Sequence, residues 1–117
     1  MSNKRSIGTR YEDLAEAFLM EKGYTILERN YRTRSGEIDI IARDGRYLVF
    51  LEVKYRSGKR NGTALEAVDY RKQQIIYRTA RVYLYQHRYP ADQPCRFDVL
   101  GITGEQIEHV KNAFGGL

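Results

Sequence analysis

Ligands for soft metals are scarce in this chain of 117 residues, which has a single cysteine, Cys95, and two histidines, His87 and His109. A lone thiol excludes an internal disulfide framework, and so few Cys and His ligands exclude a structural zinc site. A reducing cytoplasm is then the expected compartment. Long hydrophobic runs are missing too. The start, Met1-Ser2-Asn3-Lys4-Arg5-Ser6, is polar, and nothing approaches the roughly 20 apolar residues that span a bilayer. The expectation is a soluble protein, not exported, with no membrane partner. Internal repeats, low-complexity tracts and linkers are also absent. The length suits one domain, 1–117, frayed at 1–6 and 115–117, that buries about two thirds of its surface around a single core.

One segment lacks acids. Arg71, Lys72, Arg78, Arg81 and Arg88 stand between positions 71 and 91 with no Asp or Glu, in a chain whose net charge is +5. A helical pattern opens with a candidate capping box at Thr63 to Glu66 and runs to about Arg88, with a break near Asp69, before Pro90 ends it. Ile76, Ala80, Tyr83, Leu84 and His87 form its core face, with Lys72 and Gln73 at the start. Arg71, Gln74, Arg78, Arg81, Tyr85 and Arg88 share another face. Arginines interleaved with a tyrosine suit a phosphate backbone, although many charged stripes are only solvated. The preceding loop, Arg56-Ser57-Gly58-Lys59-Arg60-Asn61-Gly62, adds Arg56, Lys59 and Arg60 as candidate phosphate contacts. Near the start, Thr9-Arg10-Tyr11-Glu12 reads as a capping box that opens a helix through about Lys22, with Leu14, Ala15, Phe18 and Leu19 as its apolar stripe. Glu12 lies on the border of that stripe. Strands are expected at 24–30, from Gly36 to the Asp44-Gly45 turn, at 47–54, 96–102 and 106–110.

What the chain does have is acid embedded in apolar strands. Gly36-Glu37-Ile38-Asp39-Ile40-Ile41 is followed, after Arg43-Asp44-Gly45-Arg46, by Tyr47-Leu48-Val49-Phe50-Leu51-Glu52-Val53-Lys54. Burying a charge costs several kcal/mol unless it is paired, hydrated or bound to a metal. With Asp44 and Gly45 as the hairpin loop, Arg43 pairs with Arg46, Asp39 faces Phe50 and Glu37 faces Glu52. Glu37, Asp39, Ile41, Leu48, Phe50, Glu52 and Lys54 then share one face, while Ile38, Ile40, Ala42, Tyr47, Val49, Leu51 and Val53 form the other. Asp39 and Glu52 become diagonal neighbours about 7–8 Å apart at the backbone, close enough for their oxygens to reach a common ion. An all-carboxylate site suits Mg²⁺ or Mn²⁺. The same residues also read as a surface ion pair and turn acids.

An acid on the first helix, Asp39 on one strand and Glu52-Val53-Lys54 on the next resemble the core of the restriction-endonuclease-like superfamily, the Asp…Glu-x-Lys nucleases. Archaeal Holliday junction resolvases are similar in the same order of elements. More closely, Gly8-x-x-x-Glu12, Arg29-Asn30-Tyr31-Arg32, Gly36-Glu37-Ile38-Asp39, Phe50-Leu51-Glu52-Val53-Lys54-Tyr55-Arg56, Lys72, Arg96-Phe97-Asp98-Val99 and Asn112-Ala113-Phe114 resemble the YraN-like family of small uncharacterised bacterial proteins, over nearly the whole chain. Tyr11 stands where a glycine is expected, and Ile38 where many nuclease motifs have proline.

The resemblance implies an α/β fold with a restriction-endonuclease-like mixed β-sheet flanked by α-helices, and metal-dependent cleavage of nucleic acid. Asp39 and Glu52 would be the principal Mg²⁺ (or Mn²⁺) ligands, with the Val53 carbonyl as a further one. Lys54 would orient or help deprotonate the attacking water, and Glu12 would bind metal through water or hold Lys72 in place. Glu37 would be an acid behind the ligands and Gln73 a phosphate contact. The expected partner is DNA, with branched DNA in repair or recombination as the candidate substrate and a homodimer allowed. A non-catalytic nucleic-acid-binding module and a protein-interaction module on the same fold are the alternatives.

Overall fold

The computed structural model describes residues 4–56 and 68–115, and for residues 4–9 the backbone alone. The elements run α1 (Lys4–Glu21), β1 (Thr25–Arg32), β2 (Glu37–Asp44), β3 (Tyr47–Arg56), α2 (Tyr70–Gln86), β4 (Cys95–Thr103) and β5 (Gln106–Val110). The strands form one sheet in chain order, antiparallel throughout except for the parallel pair β3 and β4. The fold is therefore α/β, a five-stranded mixed sheet flanked by two helices and compatible with a restriction-endonuclease-like architecture. Among the described residues no helix is long and apolar enough to cross a membrane.

Alternation in the strands sends apolar residues to both faces, so each face needs a helix. On the α2 side Ile41, Leu48, Phe50, Phe97 and Val99 pack with Ile76, Tyr77, Ala80 and Tyr83. On the α1 side Ile40, Ala42, Val49, Leu51, Leu100 and Ile102 pack with Ala15 and Leu19. Each fully buried side chain of this size contributes about 1.5–3 kcal/mol. Gly36 lets α2 come close: a Cβ there would overlap the Ile75 methyl and press on Thr79.

Three expectations are corrected, and a fourth, the break near Asp69, is met. α1 begins at Lys4 and not at Thr9, so residues 4–6 are helical where fraying was expected. A capping box is worth only about 1 kcal/mol and a single Gly8 costs about as much, so neither fixes the start. α2 begins at Tyr70, capped by Asp69, whose carboxylate accepts from the Lys72 amide at 2.9 Å. The candidate capping box at Thr63 to Glu66 lies outside the described residues, as do Lys59 and Arg60.

The hairpin loop is Gly45-Arg46, and Asp44 pairs with Tyr47. Asp44 is drawn into the strand by Arg96, 2.9 Å from its carboxylate, while Gly45, at φ 62, takes the first loop position. The register thus differs by two positions, an even number, so the paired residues Ile40 to Asp44 keep the sides expected of them, while Asp39 and Glu52 lie past the last pair, Ile40↔Leu51. Lastly, Ile38 packs on the α2 side and Ile40 on the α1 side, although alternation puts them together. Their partners in β1 are Tyr31 and Arg29, and between these Asn30 takes the left-handed conformation at φ 54. That irregularity turns the strand pair at Asp39.

Candidate functional site

The site grows out of a fork in the sheet. β2 stays paired with β1 as far as Arg32↔Glu37, and β3 stays paired with β4 as far as Arg56↔Thr103. The β2–β3 ladder stops earlier, at Ile40↔Leu51. Past that point the strands part, and Asp39 occupies the opening: its Oδ2 accepts from the Val53 amide at 2.8 Å. That is its only hydrogen bond among the described residues. Glu52, 5 % exposed, follows Leu51 and meets Lys72 Nζ at 3.0 Å and Lys54 Nζ at 3.8 Å.

Charge in this fork is poorly balanced. Burial pushes the Asp39 carboxyl up to about 7, helped by the Glu52 carboxylate and opposed by the Val53 amide, with Glu37 and Glu12 adding to the rise. Burial works against the Lys72 ammonium, but Glu52, Asp39 and Glu37 outweigh it and lift Lys72 above its usual range. Both effects report the same excess of negative potential.

Glu12 reaches the fork from α1, on the other face from Lys72. Its Oε1 accepts from Asn30 at 3.0 Å and lies 3.4 Å from Arg29. Arg29 also holds Asp13 at 2.7 Å and Glu16 at 2.9 Å. Glu12 therefore does not hold Lys72, which belongs to Glu52, because α1 and α2 cover opposite faces of the sheet. Glu37 pairs loosely with exposed Arg32 at 3.5 Å. Gln73 gives one amide hydrogen to the Val68 carbonyl at 3.1 Å, which ties down the start of α2. Val53 meets Asp39 through its amide; its place in β3 is opposite Leu100. Arg71, Arg78 and Arg81 are exposed along α2, and Arg56 ends β3.

Among the described residues no three His, Cys, Asp or Glu side chains converge into a ready-made cation cage. The donor set nevertheless fits a hard divalent cation. It is all oxygen, it is shielded from water, and the cost of ionising Asp39 beside Glu52 is one that a cation would relieve.

Sequence reasoning missed a second buried acid and its partners. Asp98, fully buried in β4, accepts from Arg96 (2.9 Å), His109 Nε2 (2.8 Å) and the Asn112 amide (2.9 Å). Lys22 Nζ lies 3.1 Å from the other histidine nitrogen, Nδ1, so the ring bridges Lys22 and Asp98. Burial alone would raise the Asp98 carboxyl, but His109, Arg96 and the Asn112 amide hold it below its ordinary value. An Asp inside an apolar strand was the available signal, the same one that singled out Asp39. Also missed was the stacking of Tyr11 on Tyr55, with ring centroids 4.0 Å apart.

Comparison with known proteins places this chain in one family. The model for "Uncharacterised protein family UPF0102" matches residues 11–102. A UPF0102 protein of Lachnoclostridium phytofermentans is 50 % identical over 112 residues, 96 % of this chain and 95 % of that protein. One from Stutzerimonas stutzeri is 43 % identical over 118 residues, covering 97 % and 98 %, and one from Thermotoga maritima 49 % over 105 residues, covering 90 % and 94 %.

Proposed function

We propose that this chain, which belongs to the UPF0102 family, is a metal-dependent DNA endonuclease of restriction-endonuclease-like type, acting on branched or otherwise distorted DNA. The observation that carries the reading is the fork itself: two shielded carboxylates, Asp39 and Glu52, at the point where β2 and β3 part, with Lys54 and Lys72 on one of them. A structural ion pair leaves neither charge unanswered, whereas Asp39, among the described residues, meets only the Val53 amide and a bound cation would answer it.

Asp39 and Glu52 would hold Mg²⁺ or Mn²⁺, which when bound supplies Lewis acidity and a more acidic water. The chain's own contributions follow from position. The Val53 amide fixes Asp39 Oδ2 and so aims the remaining oxygen. Lys54, about one third exposed beside Glu52, can face both the attacking water and the scissile phosphate. Water gives up a proton as its oxygen adds to phosphorus, the bond to the leaving oxygen breaks, and that oxygen takes up a proton from solvent. Lys72 fixes the Glu52 carboxylate. Arg71, Arg78 and Arg81 suit the phosphate backbone, and so small a chain has little structure left over for reading bases in the major groove.

A panel of linear, flapped and four-way DNA and RNA substrates with Mg²⁺ or Mn²⁺ tests this. Cleavage should vanish in Lys54→Ala with metal binding retained, and both should vanish in Asp39→Asn. A purified Glu52→Gln protein that cleaves at the wild-type rate would defeat the assignment. The ion pair of Lys72 and Glu52, and the lack of a third converging metal ligand among the described residues, favour a second reading, a nucleic-acid-binding module without turnover. Binding without cleavage of any substrate would select it.

A further inference from the structure

Tyr11 and Tyr55 flank the fork residues in the chain. Tyr11 immediately precedes Glu12 in α1, and Tyr55 immediately follows Lys54 in β3. Their rings lie face to face, 4.0 Å between centroids and 21° between planes, although Tyr55 is 46 % exposed. Such a pair on the surface contributes only about 0.5–1.5 kcal/mol beyond the area it covers. Tyr11 has a second role. It walls a cavity of about 340 Å³ with Leu14, Ile102 and Ile107, and Arg10 and Glu105 supply the charged lining. That volume lies at the lower end of the range for small-ligand sites, about 300–1,000 Å³. Leu14 is 40 % exposed, so the apolar wall is open to solvent.

An apolar cavity walled by one ring of an aromatic stack, with a cation and an acceptor in its lining, offers the stacking surface and edge chemistry that a nucleobase uses. Tyr55 is three residues from Glu52 in β3, and Glu12, the neighbour of Tyr11, holds Asn30 of β1, so the stack lies on the α1 side of the sheet, at the same end as the fork. We infer that this cavity receives an unpaired nucleobase of the strand whose phosphate lies at Asp39 and Glu52. The inference rests on the nuclease reading and deepens it: the substrate carries a flipped or single-stranded nucleotide next to the scissile bond, as flaps and distorted junctions do. Arg10 meets the strand's phosphate, and Glu105 accepts from the base edge.

The test uses the full chain, a flapped duplex and a fully paired duplex of equal length, with 2-aminopurine placed in turn along the flap. Anisotropy gives affinity, and quenching of 2-aminopurine reports stacking; both are read with Mg²⁺ and with EDTA, so neither depends on cleavage. The flapped duplex should bind more tightly than the paired one, with quenching confined to one or two flap positions. Tyr11→Leu should weaken flap binding by about five-fold to a hundred-fold, the worth of one stacked base, with paired-duplex affinity unchanged. Leu14→Trp keeps the stack and fills the cavity from an exposed position, and should also abolish the quench. Equal affinity for both duplexes, a quench that survives both substitutions, or equally strong competition by a free mononucleotide would overturn the inference and leave the nuclease reading standing. No binding of any nucleic acid by the wild-type chain would remove both.

Discussion

Asp98 and the Asp39–Glu52 pair belong to the same sheet, with Asp98 next to Leu51 across the β3–β4 ladder, yet their surroundings differ in kind. Asp98 is completely buried and completely answered: a guanidinium, an imidazole N–H and a backbone amide fill its oxygens. Asp39 is shielded by the fork and answered by one amide, with three other carboxylates near enough to raise its pKa. The first carboxyl is held down and the second is pushed up to about 7. Burial alone therefore does not mark a functional acid. What marks it is burial whose electrostatic cost the chain leaves outstanding.

That contrast can be broken by substitution. The largest effect should come from Asp98→Asn, which leaves Arg96 without its buried partner; we expect a loss of about 3–5 kcal/mol in urea unfolding with little change in metal binding. Next is Lys72→Met, which strips Glu52 of its nearer cation. Without added metal this should cost about 1–3 kcal/mol, and Mn²⁺ should restore most of it, seen as a larger metal-induced rise in Tm than in the wild type. An equal rise in both proteins would mean that the two lysines and the cation do not share a site.

The pH dependence should have opposite signs in the two places. The folded Asp39 carboxyl, at about 7, lies above its unfolded value near 4, so the folded chain binds the extra proton between them. In metal-free buffer its contribution to stability falls as pH rises from about 4 through 7, by at most about 1.4 kcal/mol per pH unit. Asp39→Asn should flatten that decline, and Mn²⁺ should oppose it. Asp98, with its lowered pKa, contributes fully at neutral pH and is lost only as pH falls below the ordinary carboxylate range. Unfolding curves of wild type, Asp39→Asn and Asp98→Asn from about pH 2 to about pH 8 decide this. The smallest effect on stability, within about 0.5 kcal/mol, belongs to the joint replacement of Arg71, Arg78 and Arg81 by glutamine. The same change should flatten the salt dependence of duplex binding by roughly 0.9 log units per lost phosphate contact; an unchanged slope would mean a merely solvated stripe.

Much of this was legible beforehand. Period-two patterning around a turn located β2 and β3 and the sides of their paired residues, and the order of elements matched the α/β sheet. The error in register was harmless because it was even. Its cause, the pull of Arg96 on Asp44, is a contact between residues far apart in the chain that local turn chemistry cannot reveal. The turn of the strand pair at Asn30 escaped for another reason: a single left-handed residue changes which face its neighbours take without altering composition or spacing. Of the two roles expected of Glu12, the hold on Lys72 fails, since helical periodicity says which residues share a face and not which face of a sheet that helix will cover.

The position of the one parallel pair also sets an order of assembly. β1, β2 and β3 form a meander whose contacts are local, whereas β4 reaches β3 only after the long excursion through α2, pairing Cys95 with Leu48. Local pairings close cheaply and early; distant ones wait on the entropy of closing a larger loop. In a refolding chain the carboxylates are therefore expected to converge before Lys72 arrives to answer them. Divalent cations should then act as a folding aid as well as a ligand, lowering the barrier most when Lys72 is missing.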